Sequence, residues 1–527
     1  MLARALGANR PPAPLLVAGS VVAAVAALPA AYLVIVCADD VGATVETILR
    51  SRTLEMTLRS AGLAAAVTAT TVAVAVPLAF LTTRTTLPGA RAWATLLSLP
   101  IVIPSYVGAY TYVAALGPSG MLQDLLEPLG IERLPGIYGF GGAWLVLSLF
   151  TYPLVLITVR SAIVRLDPRL EEAALVAGRS RPEVFRTVTL PQLRPAIGAG
   201  GLLVALYVLS DFGAVSLLRF QSFTREIYIS FQSSFDRGAT AALGLVLVAL
   251  TLALLALYTR TRRQGGYYRS SPGAARPPRP APLGRWRWPA IGACSLLAAL
   301  ALALPLGVLL YWAGKGIGDA VDWGSVGTAA WHSLLAGGLA AAVAAVAAIT
   351  ISLLTVRYPS PASRLLERAG YAGYALPGIV VALALVFFGT RIALPLYQTL
   401  AMLVVALAIH FLPLAIAAIS ASLLQVPPRL EEAARTLGRG PVATFATVTG
   451  PLAAPGVAAG AALVLLYAVK ELPATLLLAP AEFQTLATQV WTETTFGQYG
   501  GAAIPALVLV LVAAPPLYLL SGEAVHE

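Results

Sequence analysis

Three ionisable side chains stand where lipid would ordinarily exclude them. Asp211, Lys470 and Glu471 fall within long apolar runs, where a charge costs at least ~2.5 kcal/mol on insertion scales. Such groups face a bundle interior or water, and carboxylates placed there can give a cation pathway its negative lining. Asp211 and Glu471 are 260 residues apart, and Tyr207 and Tyr467 precede them at the same offset. Each tyrosine is one helical turn before its acid, on the same face. Lys470 would partly offset the two acids, and as an adjacent helical residue it points away from Glu471. Tyr207, Asp211, Tyr467, Lys470 and Glu471 are therefore the candidate translocation residues.

Other chemistry finds little support. The three histidines, His332, His410 and His526, are far apart in sequence. No His/Cys/Asp/Glu cluster has the spacing of a metal site, so His332 and His410 are expected to serve helix packing or helix ends. Cys37 and Cys294 lie in or beside apolar runs of different halves and read as small buried hydrophobes, with no disulfide implied. No nucleophile–base pair stands out, and the chain is not expected to be an enzyme. The phosphate-cradling pattern G-x-x-x-x-G-K-[ST] is absent; the only Gly-Lys pair, Gly314-Lys315, lacks the upstream glycine.

The elements that must position these residues occur twice. Pro168-Arg-Leu-Glu-Glu-Ala-Ala174 returns as Pro428-Arg-Leu-Glu-Glu-Ala-Ala434, and from 168 to 195 fifteen of 28 positions match across a constant offset of 260. Each copy reads as a short helix, a break at Gly178 or Gly438, and a second short helix. Proline in the first turn and the glutamates after it favour a helix start, and glycine favours a helix end. A polar helical hairpin projecting from a membrane suits docking into a groove, and two copies suit two copies of one soluble partner. Weaker echoes include Gly62-Leu-Ala-Ala-Ala-Val67 with Gly338-Leu-Ala-Ala-Ala-Val343, and Leu99-Pro100 with Leu376-Pro377.

Around these islands the chain is membrane material. Hydrophobic residues make up 58% and charged residues 11%, with a mean hydropathy of +0.82; a soluble chain of 527 residues would carry far more charge. About twelve runs reach roughly the 20 residues a span needs. They lie near 13–36, 58–81, 93–116, 137–159, 196–218, 240–258, 289–312, 331–355, 371–390, 397–424, 452–478 and 502–520. The first is too long for a signal peptide and reads as an uncleaved helix. The arginine-rich stretch 259–287 has no acid and marks the cytoplasmic side. Loops 82–92 and 357–368 join it there, as do both repeated islands and both termini. Asp39, Asp40, Asp319, Asp322, Glu482 and Glu493 fall opposite, while the 219–237 loop, with Arg219, Arg225 and Arg237, fits this pattern less well. The net charge of +11 thus reflects topology, and scattered loop arginines give no sign of nucleic-acid binding. The expected class is all-α, a polytopic protein of two parallel six-helix repeats. Repeat one covers 1–258, a basic linker 259–287 and repeat two 288–527.

The island resembles the EAA loop of binding-protein-dependent ABC importers. Glu172-Ala-Ala174, Gly178, Val188 and Leu190-Pro191 fit its pattern, and so do Glu432, Gly438, Val448 and Pro451, with Gly450 where leucine is usual. Other segments resemble the fused ferric-iron permeases of that class: Ile103-Pro-Ser-Tyr-Val107, Ser210-Asp-Phe-Gly-Ala-Val215, Tyr374-Ala-Leu-Pro-Gly-Ile-Val380, Lys470-Glu-Leu-Pro-Ala-Thr-Leu-Leu-Leu478 and Thr485-Leu-Ala-Thr488. The resemblance implies a type I ABC importer permease fold in the bacterial plasma membrane. It implies Fe3+ handed over by an extracytoplasmic binding protein and two copies of a separate ATPase subunit that hold ATP and Mg. It makes Glu171, Glu172, Ala173 and Gly178, with Glu431, Glu432, Ala433 and Gly438, the ATPase-coupling residues. Close relatives of this family carry thiamine, polyamines or phosphonates. A secondary transporter driven by protons or sodium would also fit twelve spans, but has no use for paired docking loops.

Overall fold

The computed structural model describes residues 11–118, 120–129, 135–233, 237–262, 280–318 and 322–523. Among them the chain is helical, and the sole β-type pairing is an isolated bridge between Thr85 and Ala281. Among the described residues nine helices are long and apolar enough to cross a bilayer. One bent pair, Ala90–Val102 with Ser105–Asp124, and two shorter apolar helices, Gly378–Arg391 and Tyr499–Pro515, bring the apolar segments to twelve. Asp319, His526 and most of the expected linker lie outside the described residues.

Two of the expected spans are not single helices. The 93–116 run breaks at Ser98–Pro104 and turns by 93°. The 371–390 run breaks between Ala372–Ala375 and Gly378–Arg391. Proline explains both. Pro104 and Pro377 sit immediately before a new helix in nearly the same extended backbone, φ −60°, ψ 145° and φ −55°, ψ 144°, because proline disfavours helix in the residue before it and donates no N–H.

The repeat is more regular in space than in sequence. The helices Phe140–Arg165 and Leu400–Gln425 start and end 260 residues apart. The same offset relates Pro168–Val176 to Pro428–Thr436, and the π-helical turn Phe185–Thr189 to Phe445–Thr449. Gly200 lies against the Val155 backbone as Gly460 lies against that of Ala415; a Cβ would come within 2.9 and 3.2 Å of those Cα atoms. Small residues at one register position thus let two helices approach closely in each repeat, as membrane packing favours. Before Phe140 the first repeat carries a longer connection, so earlier positions correspond at 273: Arg84 with Arg357, Pro104 with Pro377. The Gly62/Gly338 and Leu99/Leu376 echoes do not fit that register and are coincidences of composition.

The helices form two compact units that cut across the two halves of the sequence. One takes the chain up to Arg50, Ile227–Val248 and the chain from Lys315; the other takes Ser51–Glu226 and Ala249–Gly314. In the first unit the opening helix Ala13–Asp39 packs on second-repeat helices. Gly19 meets Leu354, Tyr32 stands edge-on to Phe388 at 5.6 Å, and Arg391 pairs with Asp39. In the second unit the Tyr112 hydroxyl donates to the Leu300 carbonyl at 2.9 Å. Cys37 and Cys294 are both buried free thiols.

Candidate functional site

Each repeated island is a helix–turn–helix closed by its glycine. In the first copy Gly178 N–H donates to Leu175 O and Arg179 N–H to Ala174 O. In the second, Gly438 N–H donates to Arg435 O and Arg439 N–H to Ala434 O. This is the Schellman arrangement, and it needs a left-handed residue after the helix. Gly178 has φ +85° and Gly438 φ +83°. A Cβ at either would meet nothing within 4 Å, so these positions exclude side chains by backbone conformation and not by crowding. Arg179 and Arg439 then reach across the turn to the hydroxyls of Thr187 and Thr447.

The two glutamates of each island face opposite ways. Glu172 and Glu432 are exposed, as are Ala173 and Ala433. Glu171 and Glu431 turn inward. Glu431 is buried; it accepts from Arg357 Nε at 2.7 Å and from the Thr449 hydroxyl at 3.0 Å. Arg357, the last residue of its helix, also donates to Val426 O at 3.0 Å. In the first copy Thr189 donates to Glu171 at 2.9 Å, and Arg84 lies 3.9 Å from its carboxylate while donating to Ile163 O at 3.1 Å. Each glutamate thus ties its island to the end of a long membrane helix, a brace that no sequence spacing announced. The outer surface is apolar at its tip: Val176 is 89% exposed and Leu437 82%. Gly450 is helical like its counterpart Leu190, φ −60° in both, so glycine in place of the usual leucine does not break the helix at the second loop's exit.

The charged candidate pathway residues, Asp211, Lys470 and Glu471, lie at breaks, not within helices as expected. The helix Leu190–Ser210 ends at Asp211, and Gly213–Leu217 starts a new short helix. Asp211 is buried and caps that helix: its carboxylate accepts from Ala214 N–H at 3.1 Å and Val215 N–H at 3.2 Å, and from the Ser105 hydroxyl. Its carbonyl accepts from Thr224 at 2.6 Å. The helix Gly450–Val469 ends at Lys470, and Pro473–Leu478 follows. Glu471 is half-buried; its carboxylate faces Ala474 N–H at 3.4 Å and its carbonyl accepts from Thr475 at 2.9 Å. Away from water, freed backbone groups must find partners in the protein, and a carboxylate at the break supplies them. Asp followed by Gly two residues on, and Pro473 at a helix start, were the sequence signals. Tyr207 and Tyr467 are half-buried on the last turns of their helices, and the Lys470 ammonium lies 5.0 Å from the Tyr467 ring centre.

His332 is a packing residue, stacked on Phe483 at 4.1 Å with Nδ1 3.0 Å from Gln484 O. Among the described residues no group of three or more His, Cys, Asp or Glu could hold a metal ion.

The chain thus carries two equivalent polar hairpins, each braced to the end of a long apolar helix, and a broken helix in each repeat. Residues 75–264 and 337–520 match the family described as binding-protein-dependent transport system inner membrane component. The chain belongs to that family, the permease subunits of ABC importers. It is 33% identical over 503 residues to the Fe(3+)-transport system permease protein FbpB 2 of Haemophilus influenzae, covering 94% of this chain and 96% of that one. It is 23% identical over 437 residues to the ferric transport system permease protein FbpB of Actinobacillus pleuropneumoniae, covering 79% and 63%. The molybdenum transport system permease protein ModB of Escherichia coli is 30% identical over 184 residues, 34% of this chain and 79% of that one. The permease is thus a multi-pass inner membrane transport subunit and not an enzyme; its ATPase and its binding protein are separate partners.

Proposed function

We propose that this permease carries ferric iron, received from an extracytoplasmic binding protein, across the plasma membrane at the expense of ATP. The observation that carries the substrate is the likeness, along nearly the whole of both chains, to the Haemophilus influenzae Fe(3+) permease. Because both repeats are in one chain, one copy forms the whole pathway and works with two ATPase subunits and one binding protein. ATP and Mg are held on the ATPase, and this chain binds no cofactor. Both termini and the basic 259–287 linker face the cytoplasm, the linker separating repeats 1–258 and 288–527.

The exposed faces of the two islands, with Glu172, Ala173 and Gly178 and with Glu432, Ala433 and Gly438, seat in the two ATPase subunits. Glu171 and Glu431 pass their movement to the long helices through Arg84 and Arg357. Tyr207, Asp211, Tyr467, Lys470 and Glu471 border the pathway at its breaks: Asp211 and Tyr207 shape one break, and Glu471, Lys470 and Tyr467 set the charge at the other. Broken helices are where transporters of several folds hold their cargo.

The test is ATP-driven uptake into proteoliposomes containing the permease, its ATPase and its binding protein. Radioactive ferric iron should accumulate, and excess thiamine, spermidine or phosphonate should not compete. Uptake of one of those compounds in place of iron would keep the importer and overturn the substrate.

A further inference from the structure

The two breaks share a backbone and differ in chemistry. Three positions correspond around them: Ser105 with Gly378, Phe150 with His410, and Asp211 with Glu471. In the first repeat Ser105 and two backbone N–H groups close on the Asp211 carboxylate. The Phe150 ring fills the space beside Gly108, where a Cβ would come within 2.2 Å of it. In the second repeat all three positions change together. Serine becomes glycine, phenylalanine becomes histidine, and the acid gains a methylene.

The changes converge on one place. A Cβ on Gly378 would lie 2.5 Å from Glu471 Oε1 and 3.4 Å from His410 Nε2. The two side chains therefore reach for the space that glycine leaves. The imidazole has the Gly373 and Leu376 carbonyls beside it and its ring edge-on to Phe411 at 4.5 Å. Phe411 lies 5.9 Å from Tyr467, the ring that carries Lys470.

We infer that His410 and Glu471, over the bare Cα of Gly378, form a transit site for the transported iron in the second repeat, with no counterpart in the first. Imidazole and carboxylate are both ligands that iron accepts. Two protein donors hold a cation weakly, which a conduit requires, since cargo must leave as readily as it enters. The serine, phenylalanine and fully capped aspartate of the first repeat offer no such pair. This inference rests on the ferric reading above.

The experiment measures radioactive iron uptake by the reconstituted complex together with binding-protein-stimulated ATP hydrolysis. His410→Gln and Glu471→Gln should each lower uptake about tenfold or more, with stimulated hydrolysis retained. Gly378→Ala keeps both donors but displaces the carboxylate, and should lower uptake by a smaller factor; it guards against loss of fold in the other two. In lipid nanodiscs the wild-type chain, titrated with ferric citrate, should alter the electron-spin-resonance signal of the iron, and His410→Gln should not. Wild-type uptake and signal in all three second-repeat variants, from a complex that carries iron, would overturn the inference alone. A wild-type complex that carries no iron would overturn the ferric reading and this site with it.

Discussion

Single residues decide how the islands hold their shape. Gly178 and Gly438 sit at φ near +85° with open space where a side chain would go. Their replacement is therefore graded by backbone preference and not by size. Alanine should cost about 1 kcal/mol of local stability, asparagine less, and valine more. Binding-protein-stimulated ATP hydrolysis should fall in the order Gly, Asn, Ala, Val at each position; a series ordered by side-chain volume would contradict this. The brace gives a second prediction. Removing Arg357 leaves Glu431 buried and unpaired, a loss of about 3–5 kcal/mol for a buried pair. Removing Arg84 should cost less, because its nearest contact to Glu171 is 3.9 Å. Thermal unfolding of Arg357→Ala and Arg84→Ala in the same detergent tests the difference, and equal losses would show that the two braces do not differ.

At the scale of elements, the repeated hairpin has an exposed apolar tip, and on the proposed reading this tip meets the ATPase. Val176→Asp and Leu437→Asp place charge on residues that touch little of their own chain. Both variants should insert and unfold like the wild type yet lose most co-purification with the ATPase; retained co-purification would place docking elsewhere. The hairpins were legible in the sequence because their helix starts, glycine and hydroxyls recur at one offset. The inward turn of Glu171 and Glu431 was not, since their partners Arg84 and Arg357 are 87 and 74 residues away. The breaks at Asp211 and Glu471 were hidden by apolar flanks that continue through them, although Asp-Phe-Gly and Leu-Pro carry the capping signals. The proline breaks before Ser105 and Gly378 were written plainly, but a window of mean apolarity runs straight across a turn. His410 found its neighbours only in three dimensions, because Gly378 comes from another helix and Glu471 from the break between two more.

For the whole molecule, repetition within one chain predicts an assembly. A single copy should purify with two ATPase subunits, and the native mass of the detergent-solubilised complex measures it; two copies per complex would contradict the proposal. In the proposed function, coupling is the property that joins the islands, the braces and the breaks. It is tested most directly by ATP-driven uptake of radioactive ferric iron in proteoliposomes holding the binding protein, the ATPase and either the wild-type permease or its Gly178→Val, Gly438→Val double variant. Wild type should accumulate iron only with ATP and binding protein, and the double variant, present at equal abundance, should retain little uptake and little stimulated hydrolysis. Full iron uptake by the double variant, or wild-type uptake that needs no ATP, would contradict an ATP-driven importer worked through these two loops.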